Sequence, residues 1–144
     1  MDRIWVVVAD EARARLFEVE GTRGALVELA DFVNTSERLP EHELGSDDAG
    51  RGRGPGGISH SFGDDEGFRE HYARRFARDI ADRLERGLAK RRYKRLYLVA
   101  APHFLGELRN ALDGQTSQHV AGSVDRDLVR HNVNDIRGHL PERL

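Results

Sequence analysis

The rhythm of hydrophobic and polar positions shifts along the chain, and each shift marks an element. Residues 3–9, RIWVVVA, form a dense β-branched run that stops at Asp10, the pattern of a strand buried on both faces. RARLFEVE (13–20) alternates instead, with Ala14 and Leu16 among its apolar positions, as a less buried strand does. A turn signal at Gly21–Gly24 leads into ALVELADFV (25–33), a third strand. Links this short predict an antiparallel meander. From 34 to 67 no period is sustained, and eight glycines fall between Gly45 and Gly67. Such a composition is disfavoured in any regular element and predicts a flexible Gly/Arg-rich loop at about 35–67. A connection of that length inside a compact domain is usually functional or disordered.

From Phe68 the period becomes helical. Phe68, Tyr72, Phe76, Ile80, Leu84 and Leu88 recur every four residues, and Ala73, Ala77 and Ala81 fill the same side. Asp64, Asp65 and Glu66 stand just before this helix, where acids suit the positive end of its dipole. RLYLVAA (95–101) reads as another buried strand, and Pro102 opens a short helix, with proline tolerated in the first turn. QHVAGSVD (118–125) predicts a weaker strand and residues 126–140 a closing helix. The order β-β-β, loop, α, β, α, β, α predicts an α/β fold with a mixed sheet of about five strands and flanking helices. Antiparallel hairpins come first, then parallel strands added by crossovers. No internal repeat is present, and residues 1–144 read as one domain, long enough to bury a core without staples.

The formal charge is only −2, so whole-chain charge says nothing about nucleic acid. Its distribution says more: residues 69–95 hold eleven Lys/Arg against four Asp/Glu, while residues 1–68 hold seven against fifteen. Such asymmetry marks either a polyanion-facing side or a solvated helix face. On the helix, Arg75–Asp79, Arg78–Asp82 and Asp82–Arg86 are i,i+4 pairs worth about 0.2–0.5 kcal/mol each, enough to account for those charges. The unbalanced run KRRYKR (90–95) is the better RNA candidate: Arg91, Arg92 and Lys94 for phosphates, Tyr93 to stack on a base or pack at the helix end. There are no cysteines, which removes disulfides, thiolate metal sites and cysteine nucleophiles. The N-terminus lacks the features of a signal peptide, and no stretch approaches the roughly 20 apolar residues of a membrane span. A cytoplasmic protein that does not engage membranes is expected.

The glycine-rich segment offers a string match, Gly52 to Gly57, to the dinucleotide fingerprint. It does not follow a first strand into a tight turn, and Pro55 removes an N–H that a phosphate cradle would use. Arg51 and Arg53 are better founded as phosphate ligands, because guanidiniums pair phosphate bidentately and glycines let the backbone approach a polyanion. Asp10, Asp125 and Asp127 stand at strand ends, where an RNase-H-like nuclease would gather carboxylates around two metal ions. They serve equally as turn or cap residues. The seven histidines show no HxH or HExxH spacing. Ser59, His60 and Ser61 combine nucleophile and base types, but neighbours in sequence rarely face each other. Trp5 is expected in the core or at an interface.

Several blocks carry a resemblance: WVVVADEARARLFE (5–18), LVELADFVN (26–34), the glycine-rich loop and FREHYARRFARDIADRLERG (68–87). RLYLVAAPHFLGELRNAL (95–112) and VDRDLVRHNVNDI (124–136) continue it. In this order they resemble the bacterial family of proteins required for attachment to host cells. That family in turn looks like the middle domain of archaeal and eukaryotic peptide-release factors, a fold with RNase-H-like layering. The resemblance places a Gly-Gly-Gln tip at Gly56 and Gly57, where this chain has Ile58 in place of the glutamine. It implies a binding module acting on ribosomal RNA or tRNA rather than a stop-codon-dependent releasing enzyme. Arg51, Arg53, Gly56, Gly57, His60, Arg91, Arg92 and Lys94 would be its phosphate contacts, with no catalytic residue, cofactor or metal. Homo-oligomerisation stays open. The alternatives are a direct or indirect role in attachment to host cells and a metal-dependent hydrolase.

Overall fold

The computed structural model describes residues 3–35 and 55–144, with residues 55–66 described by backbone alone. The elements are β1 (Arg3–Ala9), β2 (Arg13–Glu20), β3 (Val27–Val33), α1 (Pro55–Ala89), β4 (Arg95–Val99), α2 (Pro102–Ala111), α3 (Gly114–Gln118), β5 (Val120–Val124) and α4 (Val133–His139). One five-stranded mixed sheet runs in the order β3-β2-β1-β4-β5. β1, β2 and β3 form the antiparallel meander, and β4 and β5 add in parallel beyond β1. The α/β class and the mixed five-stranded sheet are those the sequence predicts.

β1 sits at the centre, and its dense apolar run suits burial on both faces. Trp5, Val7 and Ala9 point into one cluster with α1 and α2, while Ile4, Val6 and Val8 point into a second with Leu128, Val129, Ile136, Leu140 and Leu144. α1 presses close because its inward stripe mixes Phe76, Ile80 and Leu84 with Ala73, Ala77 and Ala81, all buried. Burying side chains such as Phe76 or Leu84 contributes about 1.5–3 kcal/mol each. β2 differs from its expected half-exposure. Ala14 and Leu16 face α1, Phe17 and Val19 face the C-terminal segment, and all four are buried. An inner strand between two layers has no solvent face, whatever its local alternation. β3, at the edge, leaves Val27, Leu29 and Val33 exposed. A register shift between Leu16 and Phe17 pairs them with Ala30 and Glu28, so Leu29 is the extra residue of a bulge.

Three other expectations need correction. α1 begins at Pro55, not Phe68, so Gly56 and Gly57 belong to its first turn rather than to a loop tip. Apolar period reports only the part of a helix that packs on something, and residues 55–67 have no such stripe in sequence. Proline at the opening of a helix is pre-set for it. Asp64, Asp65 and Glu66 consequently lie inside α1, not ahead of it. The closing helix is confined to Val133–His139, with the Asn132 side chain accepting from the Asp135 amide as its cap. Upstream, the backbone turns its carbonyls to the buried Arg15: Nη1 donates to Val129 O at 3.0 Å and to His131 O at 2.7 Å. Carbonyls engaged this way are drawn out of a helical ladder. No described helix is long and apolar enough to cross a membrane.

Candidate nucleic-acid interface

The last turns of α1 place Arg83, Arg86, Gly87 and Lys90 at i, i+3, i+4 and i+7, which is one face of a helix. Gly87 is required there. A Cβ on it would come within 2.5 Å of two atoms of the Trp5 ring, so glycine lets the helix lie directly on the indole. Trp5 stacks on Tyr93 with centroids 4.6 Å apart, and its Nε1 donates to Glu18 Oε2 at 3.2 Å. Tyr93 is buried and donates its hydroxyl to Leu84 O at 2.6 Å. Burial, then the charges of Asp113 and Glu85, push the Tyr93 hydroxyl well above its ordinary pKa. Of the two roles open to Tyr93, stacking on a base is excluded by this burial; it packs at the helix end.

α1 then stops in a Schellman arrangement. The Arg91 amide donates to Leu88 O and the Arg92 amide to Gly87 O, both at 2.9 Å, while Arg91 takes φ 58°. A left-handed residue other than glycine costs on the order of 1 kcal/mol. The turn swings Arg92 back beside Arg86 and Lys90. Together with Arg83, these cations line a groove of about 380 Å³ whose apolar wall is Trp5, Leu16 and Leu29. Among the described residues none of the four is in an ion pair; Arg83 instead lies over the Phe32 ring, with Cζ 4.3 Å from its centroid. Glu18, held by the indole, is the acid bonded to a lining residue. Cations near the end of α1 also oppose the negative pole of the helix dipole, so part of their value is structural. What remains is a single-sign, exposed cluster over an apolar wall, the chemistry that meets phosphate.

Of the residues expected at the site, Arg92 lines this groove. Arg91 is exposed at the helix end, outside the lining. Lys94 is exposed too; its amide donates to Arg3 O, and its carbonyl lies 2.8 Å from His119 Nδ1. Arg51 and Arg53 lie outside the described residues, and Gly56, Gly57 and His60, like Ser59 and Ser61, are described only as helical backbone. The three expected i,i+4 pairs do not close among the described residues; Arg74 approaches Glu70 and Glu107, each at 3.9 Å. Sequence reasoning does not name Arg83, Arg86, Lys90 or Leu29 for the site, and it assigns Arg86 to an i,i+4 pair. The spacing of Arg83, Arg86, Gly87 and Lys90 could have flagged the helix face, but nothing in the sequence places Leu29 in the same groove.

The carboxylates do not converge. β4 separates β1 from β5, which puts their ends about 10 Å apart at two strand spacings. Asp10 Oδ1 accepts from the amides of Ala12 and Arg13, both at 2.8 Å, as a turn residue. Asp125 and Asp127 line a different, mixed-charge hollow with Arg126, His131 and His139. Among the described residues no group of three or more His, Asp or Glu is placed to hold a metal ion.

A family model described as "Protein required for attachment to host cells" matches residues 5–140, nearly the whole chain. No curated protein matches the sequence. Among solved structures, an archaeal translation termination factor aligns with 84% of this chain at 13% identity and a TM-score of 0.46, over 29% of its own length. A second structure, described as an archaeal protein, aligns with 91% of this chain at 13% identity and a TM-score of 0.44, over 34% of its length. The chain thus spans about a third of either structure.

Proposed function

For a chain that belongs to the family of proteins required for attachment to host cells, we propose a cytoplasmic binding module whose basic groove holds the phosphates of RNA, ribosomal RNA or tRNA being the candidates. The observation that carries this reading is the convergence of Arg83, Arg86, Lys90 and Arg92 on one groove with no ion-pair partner among the described residues. Buried or structural cations are ordinarily neutralised, as Arg15 is by Glu28 and Arg13 by Asp31. An exposed set with no acidic partner among the described residues, at a concave surface, favours a mobile polyanion. Arg51 and Arg53 would add to the same interaction as further phosphate contacts.

Co-sedimentation with ribosomes at moderate salt tests the proposal. Binding should fall with rising salt, with a slope of about −0.7 to −0.9 per phosphate contact. Arg86→Ala/Lys90→Ala/Arg92→Ala should remove it, each cation contributing about tenfold. Co-sedimentation that ignores this triple substitution and salt alike would overturn the assignment. Attachment to host cells would then follow from such binding only indirectly. Surface labelling of intact cells separates the two, since protein found outside the cell contradicts a cytoplasmic role.

A further inference from the structure

We propose that the groove takes a single-stranded nucleotide segment, one unpaired base stacking on the Arg83 guanidinium while Arg86, Lys90 and Arg92 hold the adjoining phosphates. This rests on the RNA reading above and names the form of RNA. The first support is the state of Arg83. Its guanidinium lies over the Phe32 ring at 4.3 Å, although the side chain is exposed, so one of its two flat faces is already covered. A guanidinium held against an aromatic ring is a pre-oriented platform, and its outward face stacks on a base as an aromatic ring would.

The second support is the mixed character of the groove. Its lining combines cations from α1 and Arg92 with Leu16, Leu29 and Trp5 from the sheet. Leu29 stays 47% exposed because the bulge in β3 turns it out of the ladder. An apolar wall gains nothing from a duplex backbone, which presents only phosphate and sugar. An unpaired base has both an apolar face for that wall and a phosphate on each side for the cations. The third support is size. At about 380 Å³ the groove is near the lower end of small-ligand sites and suits one nucleotide rather than a double helix. Arg83 and Lys90 are about 10 Å apart along α1, a span that a few nucleotides cover.

Fluorescence anisotropy with the full chain tests this, using an unstructured RNA hexanucleotide and an RNA duplex of equal phosphate number. The single strand should bind at least tenfold more tightly. Arg83→Lys keeps the charge and removes the planar platform, and it should weaken the single strand about tenfold and so erase the preference. Phe32→Leu, which frees the guanidinium, should move affinity in the same direction by less. Arg86→Ala/Lys90→Ala should weaken both RNAs. Equal affinity for the two RNAs, or a preference that survives Arg83→Lys, overturns the stacking proposal and leaves phosphate binding standing. Failure to bind either RNA overturns both.

Discussion

At the carboxyl ends of the parallel strands, where open α/β sheets commonly hold their ligands, Asp10 and Arg15 are occupied with the fold and the other charges are mixed in sign. Asp10 closes the β1–β2 turn, Arg15 ties down the backbone at 129–131, and Asp125, Arg126 and Asp127 alternate in sign. Toward the amino ends of β1 and β4, on the α1 face, Arg83, Arg86, Lys90 and Arg92 share one sign and none is in an ion pair among the described residues. The contrast teaches that topology nominates a place for a site while a concentration of one sign of charge decides it. A group already spent on holding a turn or a loop has little to offer a ligand.

The sharpest way to break the comparison is to strip cations from each end separately. Removing Arg86 and Lys90 should cost RNA affinity about a hundredfold, about 1.4 kcal/mol for each charge-assisted contact. Arg126→Ala/Arg130→Ala should leave it essentially unchanged. Anisotropy titrations give both, and the reverse result would move the site to the other end. Next in size is Gly87→Ala, which forces a methyl against the Trp5 ring. Overpacking of this kind costs about 1–3 kcal/mol, more than the helix propensity alanine restores, and urea denaturation should show the loss.

Tyr93→Phe should cost about 0.5–1.5 kcal/mol by removing the hydrogen bond to Leu84 O. The same hydroxyl gives a pH test of the groove's foundation. Its folded pKa is raised above the ordinary value of 10.0, so its stabilising contribution is complete below that pH and declines as pH climbs above it. Thermal melts from pH 8 upward should fall more steeply for the wild type than for Tyr93→Phe. Arg91→Gly is the smallest change. Relief of the left-handed backbone at φ 58° should stabilise the protein by about 0.5–1 kcal/mol, partly offset by a more flexible unfolded chain. A loss of stability there would mean that the Arg91 side chain contributes more to the fold than its backbone strain costs.

The α/β class, the antiparallel meander and every strand were legible in the sequence, because burial on two layers imposes long β-branched runs and short links on any chain that folds this way. The start of α1 was not. Pro55 to Gly67 has no apolar stripe, and glycine content was weighed as loop where the backbone is helical. Half of the site could be read as well. The excess of cations in residues 69–95 and the KRRYKR run pointed at the end of α1, and Arg92 of that run stands in the groove. Tyr93 reads equally as a stacking aromatic or a packing one, and only the Trp5 ring beneath Gly87 shows that it packs.

The sequence by itself determined which residues are charged, which helix face carries them and that β1 and β4 must lie inside. Those properties follow from local period and composition, which any fold of the chain must respect. Only the tertiary structure decided that β3 brings Leu29 into the groove lined by Arg86, that β4 keeps Asp10 away from Asp125, and that Arg83 comes to rest on Phe32. Those are spatial relations between positions some 50 to 115 residues apart. They are set by strand order, a bulge and the absence of one methyl group at Gly87, and no local pattern encodes such distances.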